Sequence, residues 1–317
     1  VDEVRRKFFG TLYNTYSFFA LYANVDNFDP KAPAVPYSRR PEIDRWIISL
    51  LNTLIKDVKA AYEDYDVTSA GRMIQDFVCD HLSNWYVRLN RKRFWGSADN
   101  EDKLAAYQTL YEVLKTVAVL GAPIAPFYMD QLYLDLVPDG EESVHYVLMP
   151  DCDETVIDKD LEERMELAQR ASSMVLALRR KVNIKVRQPL SKLVIPVISD
   201  KVREQLEKVK ALLLGEVNVK DAEFISDTTG IITKKIKPNF KTLGKVYGKR
   251  MKEIAAAFAD IPQQEINAIQ NAEAQSVAYT LKLEGGDVEL NPGDYMISSE
   301  DMPGWLVASE GPLTLAL

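Results

Sequence analysis

The residues in this chain best placed to do chemistry are cations set beside aromatics. Between Ser83 and Trp95 the sequence reads SNWYVRLNRKRFW. Wound as a helix, this stretch turns Phe77, Val78, Leu82, Trp85, Tyr86 and Leu89 toward one side, and sets Asn84, Arg88, Arg91 and Trp95 along another. The first side forms core; the second is a basic stripe ending in an aromatic. Guanidinium groups pair with phosphates or stack on bases, and an exposed aromatic holds an unstacked loop base, so the stripe suits RNA. Lys92 and Arg93 add charge next to it. Trp85 and Tyr86 read as core anchors, whereas structural pairing competes with RNA contact for Arg88, Arg91 and Trp95.

Two more acid-free runs follow. One holds Arg179, Arg180, Lys181, Lys185, Arg187 and Lys192; the other extends from Lys234 to Lys252, with seven lysines and Arg250. The net charge of −8 taken alone argues against a nucleic-acid partner. Charge gathered into patches still binds a polyanion locally by counterion release, while the acidic remainder repels it. Any single run reads equally as a solvated helix face. Three together weaken that reading.

Other chemistry finds little support. The histidines are His81 and His145 and the cysteines Cys79 and Cys152, too few and too scattered for a disulfide framework or a zinc site. Cys79, Asp80 and His81 are consecutive, so on a helix they point in different directions. There is no glycine-rich phosphate loop and no nucleophile, base and orienter set. The expectation is no catalytic residue, no metal and a reducing, cytoplasmic setting. The most apolar stretch, Val113 to Tyr128, is broken by Lys115, Pro123 and Pro126 and falls short of the roughly 20 residues that cross a bilayer. No membrane partner is expected. A helical pattern is under way by Val4 without the regions of a signal peptide, as in a piece cut from a longer protein.

The positioning elements follow from periodicity. From Asp44 to Tyr65 apolar residues recur at three and four, predicting a long helix with one buried stripe. Thr68 or Ser69 caps a second helix running to about Trp95. A third begins after Asp99 and Asn100 and carries Leu104, Tyr107, Leu110, Tyr111, Leu114, Val117 and Ala118 on one face, until Pro123 and Pro126 break it. Phe127 to Val137 is helical, Pro138 to Lys159 loses all period, and Asp160 to Val182 is a helix predicted to return to the bundle. Strands are expected at Leu193 to Ile198, Val217 to Ile225, Gly230 to Ile236, Val277 to Leu283, Val288 to Leu290 and Trp305 to Leu315, with helices at Lys201 to Leu214 and Leu243 to Ala259. Asn239 and Phe240 read as fixing a turn and a helix start. The expected fold is mainly α: a helical bundle over 1–150, a linker and returning helix over 151–190, and a small mixed α/β domain over 191–317.

SNWYVRLNRKRFW also resembles the signature helix in the anticodon-binding bundle of the isoleucyl, valyl and leucyl group of class I aminoacyl-tRNA synthetases. FFGTLYNTYSFFALYANVDNF (Phe8 to Phe28) is similar to the segment joining catalytic core and bundle in isoleucyl enzymes, and DRWIISLLNTLI (Asp44 to Ile55) to their first long bundle helix. VLALRRKVNIKVRQPLSKLVI (Val175 to Ile195) and KPNFKTLGKVYGKRMKEIAAAF (Lys237 to Phe258) resemble the C-terminal region of the eukaryote-like branch. The resemblance weakens after about Ala274. It implies a class I anticodon-binding bundle followed by a small α/β domain, with tRNA(Ile) and the catalytic domain of the same protein as partners. Arg88, Arg91, Lys92, Arg93 and Trp95 of the stripe are the first candidate RNA contacts, and the resemblance adds Arg179, Arg180, Lys181, Lys185 and Arg187, then Lys237, Lys241, Lys245 and Lys249. Neither the His-Ile-Gly-His nor the Lys-Met-Ser-Lys-Ser type motif occurs. ATP and magnesium would therefore belong to catalytic parts outside this sequence, and no cofactor is expected within it. The corresponding piece of a valyl or leucyl enzyme, and a helical protein-interaction scaffold, are the alternatives.

Overall fold

The computed structural model describes residues 2–96, 100–197, 199–225, 233–274, 277–283, 285–300, 305–310 and 313–317. It divides into two compact units, Val1–Glu163 and Arg164–Leu317.

The first unit is helical. Asp2–Val4, a widened π stretch Arg5–Phe9 and Gly10–Val25 run on as one helix, α1. Glu42–Glu63 is α2, started by Pro41 with Glu42 and Asp44 in its positive first turn. Most of the predicted stripe is its core side, with Trp46, Ile47, Leu51, Leu54, Ile55 and Val58 buried, but Tyr65, placed at the end of that stripe, lies beyond the helix and is 91% exposed. Val67–Asp76, a π stretch Phe77–Val87 and Arg88–Trp95 make a continuous α3. Its cap is Asp66, not Thr68 or Ser69. The Asp66 carboxylate accepts from the Ser69 amide at 3.0 Å and from its hydroxyl at 2.5 Å, so the helix starts earlier than the sequence suggests. Glu101–Gly121 is α4, capped by Asn100, whose side chain accepts from Lys103 N at 2.8 Å; Asp99, predicted beside it, lies outside the described residues. Pro126–Leu136 is α5.

The segment without period is strapped down rather than loose. Asp153 N donates to Asn52 Oδ1 at 2.9 Å and Asp158 N to Ser49 Oγ at 2.8 Å, while Lys56 and Lys59 of α2 pair with Glu154 and Asp151. Hydrophobic periodicity is blind to such polar attachment.

Lys159–Lys181 is α6. Its residues Ala171, Met174, Val175 and Leu178 pack in the core of the second unit, where the sequence reading placed them on the bundle. In that unit β1 (Leu190–Pro196), α7 (Asp200–Val217) and β2 (Val219–Ile225) form a parallel crossover, with Leu190 opposite Val219. The predicted strand at Trp305 to Leu315 resolves into a hairpin, β7 (Val307–Glu310) and β8 (Leu313–Ala316), completing a sheet of order β2-β1-β8-β7. Leu193, Ile195, Leu206, Leu213, Phe224 and Leu315 fill its core.

A second cluster in the same unit gathers β3 (Thr233–Pro238), α8 (Phe240–Tyr247), α9 (Met251–Ala259), α10 (Gln263–Ala274), β4 (Tyr279–Leu281), β5 (Val288–Leu290) and β6 (Tyr295–Glu300). Of the predicted strand over Gly230 to Ile236, residues 230–232 lie outside the described residues. The helix predicted over Leu243 to Ala259 is interrupted by a tight turn, Gly248–Arg250, as glycine's low helix propensity allows. The sequence reading has neither α10 nor β6: α10 sets few large apolar residues among polar ones, and β6 holds only the short run Tyr295, Met296 and Ile297 before two serines and a glutamate.

Candidate nucleic-acid interface

The last two turns of α3 sort their cations by direction. At 100° per residue Arg88, Arg91, Lys92 and Trp95 fall on one side of Arg88–Trp95, and all four are exposed, Trp95 by 55%. Asn90 and Phe94, on the other side, are buried. Arg88 is steadied from within: its Nε donates to Asn84 O at 2.8 Å, and its guanidinium lies 5.9 Å from the centroid of the Trp85 ring. Arg91 and Lys92 make no ion pair among the described residues. Trp85 and Tyr86 are core, as the sequence reading has them.

Arg93 turns inward. It grips Asp44 of α2 with two parallel bonds, Nη1 to Oδ1 at 2.6 Å and Nη2 to Oδ2 at 2.9 Å. Its Nε donates to Asp102 Oδ2 at 3.0 Å and Nη2 also to Asp102 O at 2.7 Å, and Asn90 Oδ1 accepts from Nη1 at 3.0 Å. Asp44 is fully buried and also accepts from the Tyr86 hydroxyl at 2.8 Å. Burial opposes charge on Arg93, but the bonds and charge of Asp44 outweigh it and hold the pKa above the usual arginine value. Burial, then the Asp44 charge, pushes the Tyr86 phenol well up. Arg93 thus belongs to a lock joining α2, α3 and α4, and does not share the exposed face of its neighbours.

Arg179 is also indoors. It is 1% exposed, and its guanidinium donates to three backbone carbonyls: Lys185 O at 3.2 Å, Gln188 O at 2.9 Å and Asn218 O at 2.9 Å. Burial lowers its pKa. The chain leaves α6 through Asn183, left-handed at φ 58°, with Asn183 N bonded to Arg180 O at 3.2 Å and Ile184 N to Arg179 O at 2.9 Å. Asn218, left-handed at φ 51°, donates from Nδ2 to Val186 O at 2.8 Å. The loop is therefore tied at four points, and it presents Arg180, Lys181, Lys185 and Arg187 outward.

The third run is exposed as predicted: Lys237 on β3, Lys241 and Lys245 on α8, and Lys249 in the turn that follows. Asn239 caps α8, accepting from Lys241 N at 3.2 Å. No helix of the described residues is long and apolar enough to cross a membrane, and those residues hold no group of three or more histidines, cysteines or carboxylates able to bind a metal.

Sequence comparison places this geometry in context. Residues 44–195 match the family described as the anticodon-binding domain of tRNA ligase. The whole chain is 56% identical over 321 residues to the isoleucine–tRNA ligase of Bacteroides thetaiotaomicron, of which it covers 27%. It is 56% identical over 317 residues to that of Porphyromonas gingivalis, again covering 27%, and 37% identical over 321 residues to that of Clostridium tetani, covering 30%. The chain therefore spans less than a third of the length of these relatives. They are bacterial, and give the eukaryote-like branch no support.

Proposed function

From a chain that belongs to the isoleucyl-tRNA synthetases of class I, with the anticodon-binding domain of a tRNA ligase over residues 44–195, we propose a module that grips the anticodon arm of tRNA(Ile). The observation that carries this reading is the face of α3. Arg88, Arg91, Lys92 and Trp95 stand outward on a helix whose opposite side is locked through Arg93 and Asp44. Cations held without flexing contact phosphates and set register, while an exposed indole offers a stacking plane to a loop base. The module does no chemistry of its own. ATP, magnesium and amino-acid activation belong to the catalytic domain of the full enzyme, which acts in the cytoplasm, and the module presents the acceptor end to that domain by fixing the other end of the tRNA.

The second unit carries exposed cations of its own, Arg180, Lys181, Lys185, Arg187, Lys237, Lys241, Lys245 and Lys249, as further candidate RNA contacts; Arg93 in the first unit and Arg179 in the second serve by positioning. The test is titration of the chain with tRNA(Ile) and tRNA(Val) transcripts across a range of salt. Tighter retention of tRNA(Ile) is expected. Arg88→Ala with Arg91→Ala should weaken binding about tenfold and flatten the salt dependence by roughly 0.7–0.9 per lost phosphate contact, with melting unchanged. Unchanged binding would refute the α3 face, and equal retention of both tRNAs would refute the specificity.

A further inference from the structure

If the chain binds tRNA, as proposed, α8 of the second unit carries a cationic line of its own. Every fourth residue from Lys237 is a lysine, through Lys241, Lys245 and Lys249, and no carboxylate interrupts the run from Lys234 to Lys252. Lys241 and Lys245 stand one turn apart, exposed, and make no ion pair among the described residues.

On the adjoining strip of the helix, Phe240 is 62% exposed. A phenylalanine left in water at the start of a helix is not there for the core, which Leu243 of the same helix enters at 1% exposure. Nor is Phe240 needed to hold the turn. Asn239 does that alone: its amide donates to Asp294 O at 2.8 Å, Nδ2 to Gly293 O at 2.9 Å, and Oδ1 accepts from Lys241 N.

One turn beyond Phe240 on the same strip comes Gly244, inside the helix. A Cβ built there would meet nothing within 4 Å, and the backbone is not left-handed. The position therefore has neither a packing nor a conformational reason to be glycine, which weakens a helix relative to alanine. What remains is clearance along an open surface, between an aromatic and a line of ammonium groups.

We propose that this side of α8 seats an unpaired RNA segment, with a base stacked on Phe240 and the adjoining phosphates held by Lys241 and Lys245 as the strand passes over Gly244. Cations in register with an exposed ring are the elements of a single-strand platform, and stacking of this kind tolerates any base. A paired helix keeps its bases stacked internally and would leave Phe240 idle, so the occupant is a loop or a single-stranded end. An acidic protein surface satisfies the lysines but gives the ring no such partner.

The experiment is fluorescence anisotropy of the chain with a labelled tRNA(Ile) transcript, using Phe240→Ala, Gly244→Leu and the pair Lys241→Ala with Lys245→Ala, beside Arg91→Ala with Lys92→Ala on α3. Phe240→Ala should weaken binding at least about fivefold, the lower end for loss of one stacked base, without altering the salt slope. The lysine pair should lower the slope by about 0.7 for each contact made to single strand. Gly244→Leu should weaken binding without lowering the melting temperature, an outcome a structural role for the glycine does not produce. If the α3 variants lose affinity while all three α8 variants bind as the parent chain does, this proposal is overturned and the tRNA reading stands. If none of the variants loses affinity, both fall.

Discussion

The two units solve the same problem differently. Each presents a group of cations to solvent and holds one arginine of that group inside to fix the rest. In the first unit Arg93 is met by two carboxylates, Asp44 and Asp102, so its charge is balanced where it sits. In the second, Arg179 is met by three carbonyls and no carboxylate among the described residues. The first arrangement holds helices together and is electrically closed. The second shapes a loop and leaves its charge uncompensated, adding to the positive field of Arg180, Lys185 and Arg187. A buried arginine in a basic run can therefore be either a brace or a hidden part of the cationic surface, depending on what accepts its hydrogen bonds.

The largest effect is expected at Arg93. Replacing it by alanine strands the fully buried Asp44, and loss of one partner of such a pair costs about 3–5 kcal/mol. Denaturant unfolding should show that loss, whereas a cost under 1 kcal/mol would mean Asp44 is neutralised some other way. Arg179→Met keeps the bulk but frees three carbonyls, some of which water reaches once the loop loosens. About 2 kcal/mol is expected, with faster proteolysis at 182–189; a loop as resistant as in the parent chain would show that Asn183 and Asn218 suffice.

The smallest effect sharpens the contrast through pH. Asp26 takes hydrogen bonds from Lys103, whose Nζ lies 2.6 Å away, and from the Tyr107 hydroxyl, and these hold its carboxyl below the usual range. A depressed carboxylate stabilises the fold above its unfolded pKa, near 4, and that contribution disappears as pH falls through the folded value. Asp26→Asn should cost under about 1 kcal/mol at pH 7, and the difference should vanish at acid pH. A gap that stays constant however far the pH is lowered would rule out the carboxylate as its source. Arg179 and its carbonyls contain nothing that titrates there.

What the sequence made legible is what depends on local period. The stripe of α2, the inward turn of Trp85 and Tyr86, the strands β1 and β5 and the exposed lysines from 237 to 249 follow from spacing along one element. Arg93 did not, because the spacing that separates it from Arg91 is two residues, while the partner that decides its role, Asp44, is 49 residues away. Arg179 escaped for a related reason. Its acceptors are backbone carbonyls, which every sequence carries and none advertises. Asp66 is masked as a cap by Thr68 and Ser69, which are of capping type but lie inside the first turn it caps.

The π stretch Phe77–Val87 bears on how this chain tolerates changes of length. A stretch wound at i to i+5 fits more residues into each turn than an α-helix does. Removing one residue there would let the i→i+5 bonds close as i→i+4 bonds between the same partners, whereas removing Leu89 from the α stretch that follows would rotate everything after it by about 100°. Arg93 would swing away from Asp44, and Arg91 and Trp95 would leave the outer face together. The π stretch thus holds slack in residue count that the α stretch after it lacks, and a deletion is absorbed in the first and redirects the end of α3 in the second.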